Sequence, residues 1–157
     1  MKKRILPWAL VIFWMALIFY LSHQPAVESS GLSTSITRKI AEIIEKIAPN
    51  IGLNLESLNH IVRKNAHFFV YLVLGTFVAH GVKNSGVSSF KVITVALLIC
   101  ILYAISDEIH QLYIPGRSGE VRDVIIDSAG SLVGILGLNS IEKHQRSKKR
   151  HNKKIII

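Results

Sequence analysis

ILPWALVIFWMALIFYL, residues Ile5–Leu21, contains no charged residue and follows directly on Lys2, Lys3 and Arg4. A membrane-spanning helix needs about 20 mostly apolar residues, and this run reaches that length with its shoulders. Trp8, Trp14 and Tyr20 are residue types that favour the two membrane–water interfaces. A basic start before an apolar run also describes a secretory signal, but a cleavable signal needs small residues at the cut. SHQPAVES, residues 22–29, matches that requirement poorly, so the run reads as a retained helix.

Three more runs follow the same rule. AHFFVYLVLGTFVAHGV covers Ala66–Val82, and VITVALLICILYAI covers Val92–Ile105, extended backwards if Lys91 snorkels to the interface. The last, Val124–Ile141, is interrupted only by Asp127. The predicted fold is all-α: an integral membrane four-helix bundle with spans at residues 5–22, 64–82, 88–106 and 121–141. Together these form one membrane domain, residues 5–141, followed by a basic tail, residues 142–157.

Composition agrees. Half of the 157 residues are apolar and 18% are charged, against roughly 25% in a typical soluble domain. The mean hydropathy is +0.39, the opposite of a disordered chain. The net charge of +9 comes wholly from the two ends, because nine basic and nine acidic residues cancel between Ile5 and Ile141. A nucleic-acid binder carries its basic face on the folded body, so no nucleic-acid partner is expected. The tail KHQRSKKRHNKK is expected to be disordered, to fix topology and to attract anionic inner-leaflet lipid. The single cysteine, Cys100, rules out an intramolecular disulfide and reads as a small buried hydrophobe.

Lysine and arginine counts set the expected orientation. With both termini inside, cytoplasmic segments hold twelve basic residues and external loops hold seven. The positive-inside rule therefore predicts a multi-pass cell-membrane protein with cytoplasmic N- and C-termini. In the long first external loop, Leu32, Ile36, Ile40, Ile43, Ile44 and Ile47 recur at helical spacing opposite Arg38, Lys39, Glu42, Glu45 and Lys46. That is an amphipathic helix, stopped by Pro49, lying in the outer interface or packed against the spans. A second helix is expected to start near Asn54 and run into the second span.

Polar residues then gather at one depth. Lys64, His67, Tyr71 and Gly75 share a face of the second span, and Tyr103, Asp107, His110 and Gln111 share one on the third. Glu108 points to another side, toward the interface or a neighbouring helix. Asp123 and Asp127 lie one turn apart on the fourth, ahead of Gly130 and Gly134. These glycines form a small-xxx-small face that allows close helix approach. Arg117 follows a Pro115–Gly116 turn. Ionisable groups at membrane depth face the protein interior and are paired or functional.

The chemistry open to them is limited. His67 and His110 can exchange protons near neutral pH, Asp107 can orient an imidazole, and Arg117 can grip phosphate or carboxylate. His67, Asp107 and His110 are therefore the candidate catalytic residues. No metal is expected, because no ligand spacing is diagnostic. Asp107 with His110 or Gln111, or Asp123 with Asp127, makes the better chelate. The residues name no cofactor, and nothing marks a nucleophile.

SHQP (Ser22–Pro25), RKNAHFFVYLVLG (Arg63–Gly75), SDEIHQLYIPGR (Ser106–Arg117) and VRDVIIDSAGSLVG (Val121–Gly134) closely resemble the VanZ-like family of small bacterial membrane proteins. The resemblance covers nearly all of the chain outside the tails and the amphipathic loop, and Ser106–Asp127 is its most specific part. It implies recurrent polar positions at Lys64, His67, Tyr71, Asp107, Glu108, Gln111, Arg117 and Asp123. Asp127 stands where the family often has Asn. The founding member is associated with resistance to teicoplanin, a lipid-tailed glycopeptide antibiotic acting outside the membrane.

The leading expectation is an outward-facing polar pocket, with Asp127 among its lining residues, that binds membrane lipid, a lipid-linked envelope precursor or a lipoglycopeptide. Two other readings stay open. One is an enzyme acting on a lipid-phosphate headgroup. The other is a structural subunit whose polar stripe only packs helices.

Overall fold

The computed structural model describes residues 2–48, 52 and 54–155. They form five helices and no strand: α1 (Lys2–Ser22), α2 (Ala26–Ile47), α3 (Leu55–Asn84), α4 (Ser89–Gln111) and α5 (Val121–Ile155). All but α2 are long and apolar enough to cross a membrane. α1 begins and α5 finishes at the same end of the bundle. The expected stop at Pro49 lies outside the described residues.

α3 starts earlier than the second apolar run. The side chain of Asn54 accepts hydrogen bonds from the Glu56 and Ser57 amides at 2.9 and 3.1 Å, which satisfies two amides left open by the first turn. At 1.5 Å per residue its 30 residues reach about 45 Å. The helix therefore outruns a hydrocarbon core of about 30 Å. α5 also exceeds its span. The tail expected to be disordered continues the helix to Ile155. Lys, Arg and Gln are good helix formers, and neither Gly nor Pro follows Gly137.

α1 and α4 run one way, and α3 and α5 run the other. The parallel pair α3–α5 packs closest, through the glycines predicted for that purpose. A Cβ on Gly130 would stand 2.2 Å from the Phe68 carbonyl oxygen, and one on Gly134 would stand 2.0 Å from that of Leu72. Gly75 on α3 is reciprocal, with its Cβ position 2.3 Å from the Ser131 carbonyl oxygen. Lipid offers helices no hydrophobic drive to associate, so backbone proximity and dispersion must supply it.

α1 closes the bundle with aromatic tips. The Trp14 indole N–H donates to the Val70 carbonyl at 2.9 Å, and the Tyr103 hydroxyl donates to the Met15 carbonyl at 2.6 Å. Trp14, expected at an interface, is thus a mid-helix packing residue, half-buried edge-on against Phe77. Trp8 does sit at a helix end, where its indole bonds Ser85. Val11, Ile18, Leu74, Val78, Ala96 and Cys100 form the centre of the core. Phe13, Leu98, Leu102 and Leu136 are exposed and make the lipid-facing surface. Lys83 pairs with Glu142 at the end where the chain termini lie.

α2 lies against the first half of α3, but not by its isoleucine face. Its buried residues are Ser33, Thr37 and Ala41, and the Thr37 hydroxyl donates to Asn59 Oδ1 at 3.2 Å. Ile36, Ile43 and Ile47 stay exposed, Ile40 and Ile44 are half-buried, and the Leu32 side chain is outside the described set. The helix is both packed and amphipathic, because small and polar residues make the helix contact while the isoleucines are left for lipid.

Candidate functional site

At the α2 end of the bundle, four helices bring their polar residues together. Asp107 on α4 is 2% exposed. Its Oδ2 accepts from Ser22 of α1 at 2.9 Å, Gln111 at 3.3 Å and the Tyr71 hydroxyl of α3 at 3.4 Å. One carboxylate oxygen therefore ties three helices. Next to it Glu108, expected on another side, is turned inward and buried. It accepts the Glu120 amide at 2.8 Å, an amide that the start of α5 would otherwise leave unsatisfied.

The α3 stripe faces α5 residue by residue. Lys64 pairs with Asp123 in the first turn of α5 and reaches Glu120 at 3.2 Å. His67 Nδ1 stands 3.6 Å from Asp127 Oδ1. The Tyr71 carbonyl accepts the Ser131 hydroxyl at 3.2 Å. Asp127 is fully buried, and neither of its carboxylate oxygens has a hydrogen-bond partner.

Arg117 is placed by the turn before it. Its amide bonds the Ile114 carbonyl at 3.1 Å across Pro115 and Gly116. Gly116 sits at φ 75°, a conformation open to glycine at the third position of such a turn. The guanidinium then reaches back to the Leu21 carbonyl at 3.3 Å. Burial, and after it the neighbouring Arg63 guanidinium, lowers the Arg117 pKa from its ordinary value.

Arg63 and Arg117 open on a cavity of about 200 Å³ between α1, α2 and α3. Ile18, Leu21, Ile36, Val62 and Val70 make its apolar wall, and Ser22, His67 and Tyr71 connect it to the carboxylate cluster behind. Two neighbouring guanidiniums in the lining of a largely apolar slot suit a ligand with a negative head and a hydrocarbon stem.

The family model described as VanZ/LLP1 matches residues 7–142, which include every one of these groups. The chain belongs to the VanZ/LLP1 family. No curated protein and no solved structure matches it. Membership and the four apolar helices together make it a multi-pass membrane protein.

In this VanZ/LLP1 bundle most of the sequence-derived site residues converge. Lys64, His67, Tyr71, Asp107, Glu108, Gln111, Asp123 and Asp127 form one network, with Arg117 at its cavity edge. His110 is the exception. It is turned toward α1, stacks on Phe19 at 4.3 Å and meets His23 across 3.2 Å. The carboxylate that orients an imidazole is also a different one, since Asp127 lies by His67 while Asp107 is held by hydroxyl and amide donors. Tyr103 lies beside Tyr71, ring centroids 6.2 Å apart, but gives its hydroxyl proton to the Met15 carbonyl and not to a side chain of the network. Ser22, Arg63 and Glu120 are additional members.

If the network acts only as helix glue, its strongest pair shows it. Lys64→Met leaves Asp123, its side chain 11% exposed, without its cation. We expect a stability loss of about 2 kcal/mol, read as a lower melting temperature in detergent. Lys64→Asp with Asp123→Lys should recover part of it. An unchanged melting temperature in Lys64→Met would show that the pair does not hold α3 to α5.

Proposed function

We propose that this protein binds the acidic head and head-proximal chain of an envelope amphiphile at the outer face of the bacterial cell membrane, with both termini cytoplasmic. The ligand class is a lipid-linked envelope precursor or an acidic lipoglycopeptide such as teicoplanin. The cavity carries this reading. Its apolar wall includes Ile36, which is exposed on α2, and its polar lining includes Arg63 and Arg117. Drug-sized ligands fill about 300–1,000 Å³. A smaller, open slot holds only part of an amphiphile and leaves the rest of its chain in the bilayer.

The basic-residue count supports the orientation, and α2 fits it. Ile36, Ile43 and Ile47 would enter the outer interface with Arg38, Lys39, Glu42, Glu45 and Lys46 toward water. A second reading draws on one observation: His67 beside Asp127, at the cavity wall, is an imidazole oriented by a carboxylate. That is a proton-transfer arrangement for a lipid-phosphate headgroup, and release of phosphate that His67→Ala abolishes would favour it.

The test compares teicoplanin susceptibility in cells expressing wild type or Arg117→Gln at equal membrane abundance. We expect protection by the wild type and its loss in the variant. Equal protection by both would remove Arg117 from the site. In the same cells, in a Cys100→Ser background, Ser118→Cys should label from outside and Ser147→Cys should not. The reverse pattern would overturn the orientation.

A further inference from the structure

Behind the cavity wall, Asp107, Glu108 and Asp127 are all buried, and each presents one oxygen within 4.8 Å of the other two. Among the described residues they are the one such acidic or imidazole trio. We propose that this trio binds a hard divalent cation, of the Mg²⁺, Mn²⁺ or Ca²⁺ type, between α4 and α5. The inference does not depend on what occupies the cavity.

Proximity of acidic groups is not the argument. Asp127 is 0% exposed, and both of its oxygens lack a hydrogen-bond partner. Asp107 has the same feature on one side only: Oδ2 accepts three hydrogen bonds, while Oδ1 is buried and accepts none. Buried polar oxygens find partners as a rule, and those that do not point to a missing proton, water or ion. Asp127 Oδ1 faces the His67 ring at 3.6 Å, whereas Asp127 Oδ2 and Asp107 Oδ1 have no polar partner; on two helices, beside a third carboxylate, these two define a space that accepts positive charge.

The protein's own cations do not fill it. Lys64 is occupied by Asp123 and Glu120, and Arg117 donates through one terminal nitrogen to the Leu21 carbonyl while its buried Nε makes no hydrogen bond. His67 approaches from the α3 side, 3.6 Å from Asp127 Oδ1, and brings at most one charge against three carboxylates. Isolated ionised carboxylates are not stable at membrane depth. Oxygen donors without thiolates select hard cations. Oxygens that share such an ion at right angles or opposite one another stand about 3.0–4.8 Å apart for bonds of 2.1–2.4 Å, and the three carboxylate oxygens lie within 4.8 Å of one another.

The cation would also give the polar residues a common anchor. Asp107 ties α1, α3 and α4, Glu108 holds the start of α5, and Asp127 sits in α5 itself. An ion shared by these carboxylates joins the same helices at a point where no apolar packing is available.

The probe is Mn²⁺, followed by electron paramagnetic resonance on the full-length protein in detergent after chelator treatment. We expect one tightly held Mn²⁺ per chain, displaced by excess Mg²⁺ or Ca²⁺, and a raised melting temperature on loading. Asp107→Asn combined with Asp127→Asn should bind at least about tenfold more weakly, because the charge count of the ligands sets affinity. Absence of bound Mn²⁺ in the wild type would overturn the proposal and assign protons to the trio. Unchanged binding in the double variant would place the ion elsewhere. Should the double variant fail to fold, saturation and displacement in the wild type, with Glu108→Gln as the weaker variant, still decide. An empty trio leaves the cavity reading intact, and an occupied trio does not establish it.

Discussion

Gly134→Leu should abolish the folded bundle. The Cβ alone would come within 2.0 Å of the Leu72 carbonyl oxygen, a contact with backbone that no rotamer relieves. Overpacked cores lose about 1–3 kcal/mol where side chains can shift. Here α3 and α5 must separate along their length, which also pulls Lys64 from Asp123 and His67 from Asp127. The expected result is membrane-inserted but aggregated or rapidly degraded protein, with no cooperative melting in detergent. Gly137, with nothing within 4 Å of its Cβ position, is the control: Gly137→Leu should express and melt like the wild type. Equal behaviour of the two variants would mean that α3 and α5 do not meet through this face.

Reversing both guanidiniums, Arg63→Glu with Arg117→Glu, should remove affinity for acidic amphiphiles while leaving the bundle assembled. A hydrogen bond to a charged group contributes about 1.5–3 kcal/mol, and 1.4 kcal/mol is a factor of ten. Loss of two such contacts is expected to weaken binding at least about 100-fold, before added repulsion. Competition between a fluorescent acidic lipid and unlabelled acidic or neutral lipids, in nanodiscs of neutral lipid, reads this directly. Arg63→Gln is the cleaner single variant, since Arg117 also holds the Leu21 carbonyl. An unaltered preference for acidic lipid in the double variant would show that the cavity does not use these groups.

The helices and their closest contact were legible because both rest on strong local patterns. Uncharged runs of bilayer length specify spans, and Gly130–Gly134 specifies a face where backbones meet. The α3 stripe was legible for the same reason: three- and four-residue spacing fixes one side of a helix, and Lys64, His67 and Gly75 meet α5 there while the Tyr71 side chain reaches Asp107 of α4. Glu108 has two directions open to it in the sequence, the interface or a neighbouring helix, and the Glu120 amide that holds it at the start of α5 comes from a loop with no periodicity. His110 shares a helical face with Asp107, yet its partners are Phe19 on α1 and His23 just beyond its end, and spacing within one helix carries no information about them.

α2 shows a different limit. Its spacing specifies an amphipathic helix but leaves open whether that helix lies in the interface or packs on the spans. It packs through Ser33, Thr37 and Ala41, and Ile36, Ile43 and Ile47 are exposed. Arg63 went unnoticed because it lies off the stripe of its neighbour Lys64. Only the approach of α1 and the α4–α5 turn brings it to a cavity with Arg117.

The most direct measurement is a crosslinking map of the wild type in native-like membranes, using phosphatidylglycerol with a photoreactive group near the glycerol backbone. Binding in the slot predicts adducts concentrated on Ile18, Ile36, Val62 and Val70, and their loss in the double arginine variant. Adducts spread over Phe13, Leu98 and Leu102, at the same yield in both proteins, would contradict it and leave the cavity as a packing gap among helices.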